Sequence, residues 1–544
     1  MPGGRPSYNK SIQLNTLTNQ KIRLDRSYLN AMGEQPMAKR FKASSLALST
    51  LLVSSVLLGA CGNSNGDSGS GGSSASSSPA SSGGNGKTEQ LTVAFLGIGT
   101  MTDVQAVQDE ISKITKEKIN ATVKLMPIDV SAWTQQTNLL LAGNEPLDLM
   151  VTSAMFNYST QVAKNQLLPL DELMEKHAPE IKNTMEPAIL NGTRINGKIY
   201  GIPSVRDTAA DYGFIARKDL VDKYGIDLSQ VKTYEDLEPI FQKIKDSEPG
   251  INPIVQRSQT LTIVSELLAS KFDMLGEGLG VMSLDKNDLK VVNIYETPEY
   301  KDALALARKW YQAGYTMQDA ATTQEGNNAL VKAGKAFGYF SNMKPGFETQ
   351  ESGLDGYEMV AARLTPPISV STSATSFMLS IPRNTRDADR AMQLMNLMYT
   401  DKDVVNLLSN GIEGKHYVKT DSGQIKTPDG VTSGWVFNQW EVGNNSLALV
   451  WEGIDPDIWD QMKEFNKSAK FSKALGFSFD ATPVKTEIAA ATNVLNQYKV
   501  GLESGSLDPA LLPEFVSKLK AAGLEKIIAE KQKQLDAWAA ANGK

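Results

Sequence analysis

Cysteine and histidine are nearly absent from this chain: 544 residues hold one cysteine, Cys61, and two histidines, His177 and His416. A lone thiol closes no intramolecular disulfide, and the usual Cys/His metal clusters are excluded. Concentrated positive charge is missing too. Lys and Arg total 55 against 61 Asp and Glu, for a net charge of -6 without a basic cluster, which argues against a nucleic-acid ligand because phosphate binding needs gathered cations. The folded part carries no nucleophile elbow of the Gly-x-Ser-x-Gly type and no phosphate-binding loop. After residue 60 no apolar stretch is long enough to span a bilayer.

The one long apolar run, 43–60, is uncharged and follows Lys39, Arg40 and Lys42. It ends in Leu58, Gly59, Ala60 and Cys61, small residues of the kind signal peptidases require. That ending resembles the lipobox of bacterial lipoproteins. The resemblance implies that the Cys61 thiol receives a diacylglyceryl group and that cleavage before it makes it the first mature residue; the alternative is a signal-anchor helix that keeps the cysteine. Residues 1–36 are polar and precede an ordinary n-region beginning at Met37, so 1–36 reads as a non-native or mis-assigned extension and 37–60 as the signal peptide. Residues 61–88, the lipidated cysteine and a Gly/Ser tract, bury too little to offset chain entropy and read as a disordered tether.

The stretch LTVAFLGIGT reads as a buried strand. Val104, Val107, Ile111 and Ile114 then fall on one helix face. Ala121, Val123 and Leu125 alternate as in a half-buried strand, 131–143 is a helix capped by Ser131 and ended by Gly143, and DLMVTS is a further strand. Strand and helix in alternation predict parallel pairing, with ligands meeting loops at the strands' carboxyl ends. At the other end of the chain, Phe515, Leu519, Ile527, Leu535 and Trp538 line one side of a final helix.

Two segments are more specific: NGKIYGIPSVRDTAADYGFIARKDLVDKYG and ALVKAGKAFGYFSNMKPG. Both resemble the extracellular solute-binding proteins of bacterial ABC importers, and IPRNTRDADRAMQLMNLMYTDKDVVNLLSNG resembles the segment that returns to their first lobe. GIEGKHY, EFNKSAKFSKALGFSFDATPVKTEIAAATNV and LPEFVSKLKAAGLEKIIAEKQKQLDAW are similar to a Gram-positive branch with a distinctive C-terminal region. The resemblance implies an α/β, two-lobed periplasmic-binding-protein-like fold (type II), each lobe a mixed, mostly parallel sheet flanked by helices. Lobe 1 is expected over 89–204 plus 375–430, lobe 2 over 205–374, and a helical C-terminal region packing on both lobes over 431–544.

Loop positions in such a fold supply the candidate ligand contacts. After DLMVT come Ser153, Phe156, Asn157 and Tyr158; after the Tyr-Gly-Ile-Pro strand come Arg206, Asp207, Asp211 and Tyr212; after the aromatic strand come Ser341, Asn342 and Lys344. Trp435, Trp440 and Trp451 lie where aromatics line the cleft in the family. Core packing remains the alternative for each. His416 is a weaker candidate, His177 reads as a surface residue, Asp285 as part of a turn rather than a calcium loop, and Asp455, Asp457 and Asp460 as exposed acids at a helix start.

The expectation is a monomeric, lipid-anchored binding protein on the extracellular side of a Gram-positive cell membrane. It captures a small-molecule solute, an oligosaccharide, by hinge closure and delivers it to ABC permease subunits, with no catalytic residue, cofactor or metal. A surface sensor serving a membrane kinase and a surface carbohydrate-active enzyme are the alternatives.

Overall fold

The computed structural model describes residues 87–143, 145–276 and 278–544. The extension 1–36, the signal segment 37–60, Cys61 and the tether up to residue 86 lie outside the described residues. No helix among the described residues is long and apolar enough to cross a membrane.

The first strand, β1 (Glu89–Leu96), is buried along most of its length. Helix α1 (Val104–Ile119) packs Val107 and Ile111 inward and stops at Asn120, whose left-handed backbone ends the turn. Strand β2 (Ala121–Ile128) buries Ala121, Val123 and Leu125 in alternation. Helix α2 (Trp133–Ala142) is entered through a 3-10 turn in which Asp129 accepts the Ser131 N–H. The cap is therefore Asp129 and not Ser131, because the acid stands where a side-chain oxygen reaches the first free amides. After β3 (Leu149–Thr152), the short β4 (Ile202–Pro203) leads to β5 (Asp211–Arg217) and β6 (Asn252–Ile254). Helices α3 (Ile263–Leu268) and α4 (Pro298–Gln312) precede the aromatic strand β7 (Ala336–Met343), α5 (Phe347–Asp355) and β8 (Met359–Arg363). The chain returns through 368–377 to β9 (Met378–Ser380), then α6 (Ala388–Thr400) and α7 (Lys402–Asn410). The C-terminal part adds α8 (Ile458–Ser468), α9 (Lys485–Glu503), α10 (Leu512–Ala521) and α11 (Leu524–Ala541). The expected single final helix is thus two: Gly523, at φ 100°, sits in the left-handed region that stops α10 and starts α11.

Two sheets organise two lobes. In lobe 1 the order is β2-β1-β3-β9-β4, parallel through β2, β1 and β3 and antiparallel where the returning β9 joins. Lobe 2 has the order β8-β5-β7-β6. Its β5 runs antiparallel to both β7 and β8, and only β6 is parallel to β7. The parallel bias expected of both lobes therefore belongs to lobe 1 alone, since β7 and β8 return beside β5 in the opposite direction.

Lobe 1 has one large apolar core, whereas the lobe 2 sheet packs on two clusters, the larger around Phe214 and a smaller one around Ile215 and Tyr339. Phe214 on β5 is the hub of lobe 2, with the rings of Phe241 and Phe340 at 5.1 Å and Phe337 at 5.9 Å; such aromatic pairs add about 0.5–1.5 kcal/mol each beyond area burial. The C-terminal part enters both cores. Trp435, Phe437 and Val442 pack into lobe 1, while Val484, Leu502, Phe515, Leu519 and Ile527 pack into lobe 2.

Candidate functional site

Two of the connections between the lobes, 203–212 and 368–377, run side by side, and a third crossing through 443–483 links the residues packed in lobe 1 to those packed in lobe 2. Ala210 and Ile368 exchange N–H···O bonds of 3.0 and 2.9 Å, and the Ser369 hydroxyl donates to Thr208 O at 2.7 Å. From α8, Asn466 donates to Arg206 O and accepts the Thr208 N–H, at 2.7 and 3.0 Å. Against these paired strands lies a cavity of about 160 Å³, lined by segments 203–212 and 368–377 with Arg206, Asp207, Tyr212, Ser373 and Phe377 among its walls.

The lobe 1 wall is aromatic. Ser153 ends β3 by accepting the Met155 N–H, which turns the chain and puts Phe156 beyond the sheet's carboxyl edge. Phe156 lies 6.4 Å from Phe377, and Phe377 lies edge-on to Trp440 at 4.5 Å. Asn157, exposed at φ 64°, redirects the chain. Tyr158 then enters the core, where its hydroxyl donates to Thr193 O at 2.9 Å and burial pushes its pKa far up.

The opposite side is ionic. Arg206, whose guanidinium lies 6.0 Å from the Trp440 ring, donates to Asp207 at 2.7 Å. Lys344, on the loop after β7, reaches the other Asp207 oxygen at 3.2 Å. Burial pushes the Asp207 pKa up, but the two cations outweigh it and hold the carboxyl below its ordinary value. Asp211 receives both oxygens' bonds from Arg363 Nη1 at 3.0 and 2.9 Å, and burial still leaves its pKa raised. Arg363 also donates to Lys344 O at 2.8 Å, so this pair fixes the loop that carries Lys344. Tyr212 stands at the cavity and pairs in register with Asn342, which is exposed and accepts from Arg257 at 2.9 Å.

The structure thus brings together Phe156, Arg206, Asp207, Tyr212, Asn342, Lys344 and Trp440. It does not bring the other candidates to the same surface. Ser153 and Tyr158 are buried and hydrogen-bonded internally, and Ser341 is buried within β7. Trp435 is buried, donates to Leu408 O at 2.8 Å and stacks on Phe437, while Trp451 donates to Asn410 at 3.0 Å, beside the strand segment at Ile425. His416 is buried as well: its Nδ1 accepts the Ile412 N–H at 2.8 Å and its Nε2 faces Asp103 at 3.0 Å. His177 is half-buried against Asp389, and Asp455, Asp457 and Asp460 are exposed around the start of α8. Sequence reading missed Phe377 and Arg257. Phe377 could have been found from its place in the returning connection; Arg257 follows β6 at its carboxyl end, but no motif surrounds it.

Chemically this is a binding surface. Asp207 is held ionised between two cations, and both Asp211 oxygens are taken up by Arg363. Residues 111–412 match the family model of the bacterial extracellular solute-binding proteins. The chain belongs to that family. Residues 473–540 match a second model, a domain of unknown function. The chain is 28% identical over 510 residues, 92% of its own length and 98% of the relative's, to a carbohydrate ABC transporter substrate-binding protein of Streptococcus pneumoniae serotype 4. It is also similar to the crystal structure of an N-glycan transport solute-binding protein of Streptococcus pneumoniae, at 27% identity and a TM-score of 0.72, covering 83% of this chain and 99% of that one. The crystal structure of that protein in complex with Man5GlcNAc matches at the same identity but a TM-score of 0.58, over 82% and 98%. These are solute-binding proteins and not enzymes, and the two-lobed fold is theirs.

Proposed function

We propose that this protein captures an oligosaccharide in the cleft between its lobes, holds it by hinge closure and delivers it to an ABC permease, anchored to the outer face of the cell membrane through a lipid on Cys61. The observation that carries this reading is the facing of an aromatic wall, Phe156, Phe377 and Trp440, by hydrogen-bonding charges on Arg206, Asp207 and Lys344. Sugar rings present apolar faces that pack on aromatic rings and rims of hydroxyls that bond planar polar groups. The named relatives, a carbohydrate transporter component and an N-glycan transport protein, agree with that chemistry. Lobe 1 then comprises 89–204 and 375–430, lobe 2 comprises 205–374, and 431–544 braces both.

A cavity of about 160 Å³ is smaller than the roughly 300–1,000 Å³ of ordinary ligand sites, so an oligosaccharide needs the walls to move. A few torsions in 203–212 and 368–377, together with the crossing through 443–483, can supply that rotation while both cores stay rigid. The lower TM-score against the glycan complex, at unchanged identity, fits a different arrangement of similar parts. Ligand that binds first to the aromatic wall then favours the closed form through contacts made only on closure.

The test is a thermal-shift and calorimetric screen against neutral and acidic oligosaccharides. A ligand at 100 times its Kd stabilises by about 2.7 kcal/mol. Trp440→Ala is expected to weaken binding by about 2 kcal/mol, roughly 30-fold, with Trp435→Phe and Trp451→Phe leaving affinity within about 3-fold. Equal affinity in Trp440→Ala would remove the aromatic wall from the site. No shift with any saccharide would remove the carbohydrate reading.

A further inference from the structure

A second cluster on lobe 2 adjoins the cleft. Arg257 lies just past the carboxyl end of β6, and its Nη1 donates to Glu266 Oε1 at 3.1 Å and to Asn342 Oδ1 at 2.9 Å. Glu266, in the first turn of α3 behind its Thr262 cap, is buried. Asn342 pairs with Tyr212, which lines the cavity, so the cluster continues the cleft wall. The Tyr234 hydroxyl is buried with no hydrogen-bond partner among the described residues, and its ring lies edge-on to Phe340 at 5.6 Å. Burial, and then the charge of Glu266, push the Tyr212 and Tyr234 phenols up, so both are donors.

The arrangement leaves one group spare. Nη1 spends its hydrogens on Glu266 and Asn342, while the Nε and Nη2 edge of a guanidinium about a quarter exposed has no partner among the described residues. An arginine held this way presents a rigid planar fork. Its charge is already matched by Glu266, so it offers N–H donors without an uncompensated cation, which suits hydroxyls better than a carboxylate. Along the rest of this wall Arg206 and Lys344 share Asp207 while Arg363 sits between Asp211 and Glu348, so that with the Arg257–Glu266 pair the cations and carboxylates balance.

We propose that Arg257, positioned by Glu266 and Asn342, is a binding residue of a lobe 2 subsite that takes adjacent hydroxyls of a neutral oligosaccharide. The inference rests on the carbohydrate reading of the cleft and adds the residue, the lobe and the charge class of the sugar. A sugar stacked on the lobe 1 wall meets this fork only when the lobes close on it, so the subsite contributes to the closed state.

The experiment is calorimetric titration of the whole protein with Man5GlcNAc and with an oligogalacturonate of similar size. The wild type is compared with Arg257→Met/Glu266→Gln, which removes the pair together and strands no buried charge, and with the exposed Asn342→Ala. Unchanged thermal midpoints and near-ultraviolet circular dichroism control for folding; should the double variant be misfolded, Asn342→Ala decides. The expected result is that the wild type prefers Man5GlcNAc, that the double variant loses at least about 10-fold in affinity for it and that Asn342→Ala loses several-fold. Wild-type binding of Man5GlcNAc with undiminished affinity in the variants overturns the subsite and leaves the carbohydrate reading standing. Preference for the oligogalacturonate overturns the neutral class. Failure of the wild type to bind either sugar removes both the subsite and the reading beneath it.

Discussion

Asp207, partly exposed at the lobe junction, and Asp355, buried inside lobe 2, both bear a cost of desolvation, yet their neighbours send them in opposite directions. Asp207 is gripped by Arg206 and Lys344, which overcome burial and keep it ionised. Asp355, at the end of α5, has no cation beside it among the described residues: Asn328 donates to it at 2.7 Å, and the single Tyr339 hydroxyl lies 3.0 Å from it and 2.6 Å from Glu351, which also faces Asn328. Burial therefore raises the Asp355 pKa to about 6, with the charge of Glu351 adding to it. The junction is a permanently charged brace, whereas the lobe 2 interior holds a carboxyl that changes state in mildly acidic solution. Burial alone does not decide what an acid does; the sign of its closest partners does.

The largest expected effect breaks the second of these sites. Tyr339→Phe removes the hydroxyl that lies between Glu351 and Asp355, and unfolding in urea should show a loss of about 2–3 kcal/mol, the cost of taking a hydrogen-bonding group from buried carboxyls. A pH series sharpens the contrast. The folded pKa of Asp355, about 6, lies above its unfolded value of about 3.9, so the unfolded chain releases that proton first. Stability from this group falls as pH rises from about 4 to about 6 and is level above. Asp207 has the reverse sign: its folded pKa is depressed, so its contribution is present above about pH 4 and is lost as pH falls further. Midpoints measured across pH 3–8 should lose the upper slope in Asp355→Asn and the lower one in Asp207→Asn. The smallest effect is that of Asp207→Asn at neutral pH, about 1 kcal/mol for a partly exposed pair. An effect on stability above that of Tyr339→Phe would reverse the ranking of the two sites.

Periodicity made most of lobe 1 readable in advance: Val107 and Ile111, and the alternation of Ala121, Val123 and Leu125, bury as their spacing requires. The antiparallel sheet of lobe 2 was not readable, because strand direction depends on which distant segments pair, here β5 with β7 and β8. At the candidate site, position after a strand identified Phe156, Arg206, Asp207 and Lys344. It could not separate Trp440 from Trp435, since the fate of an indole is set by partners such as Leu408 and Phe437 on either side of it in sequence. Arg257 and Glu266 went unseen because a separation of nine residues gives no local sign that they meet. Gly523 went unread as well: the expected final helix ran through it, although its left-handed backbone divides α10 from α11.

The sharing of the C-terminal part between both cores bears on the order of events in the life of the chain. Trp435, Phe437 and Val442 complete the interior of lobe 1, and residues from Val484 to Ile527 complete that of lobe 2. While the chain is being synthesised from its N-terminus, lobe 1 lacks part of its apolar complement until Val442 has emerged, and lobe 2 until Ile527 has. Until then each core is short of residues that close it, so neither lobe can reach its native packing. For a member of an extracellular family this delay is useful, because a chain that must be threaded across a membrane is best kept from folding until nearly all of it is available. Truncation near residue 430 would accordingly leave two unfinished lobes in place of one intact lobe and one lost domain.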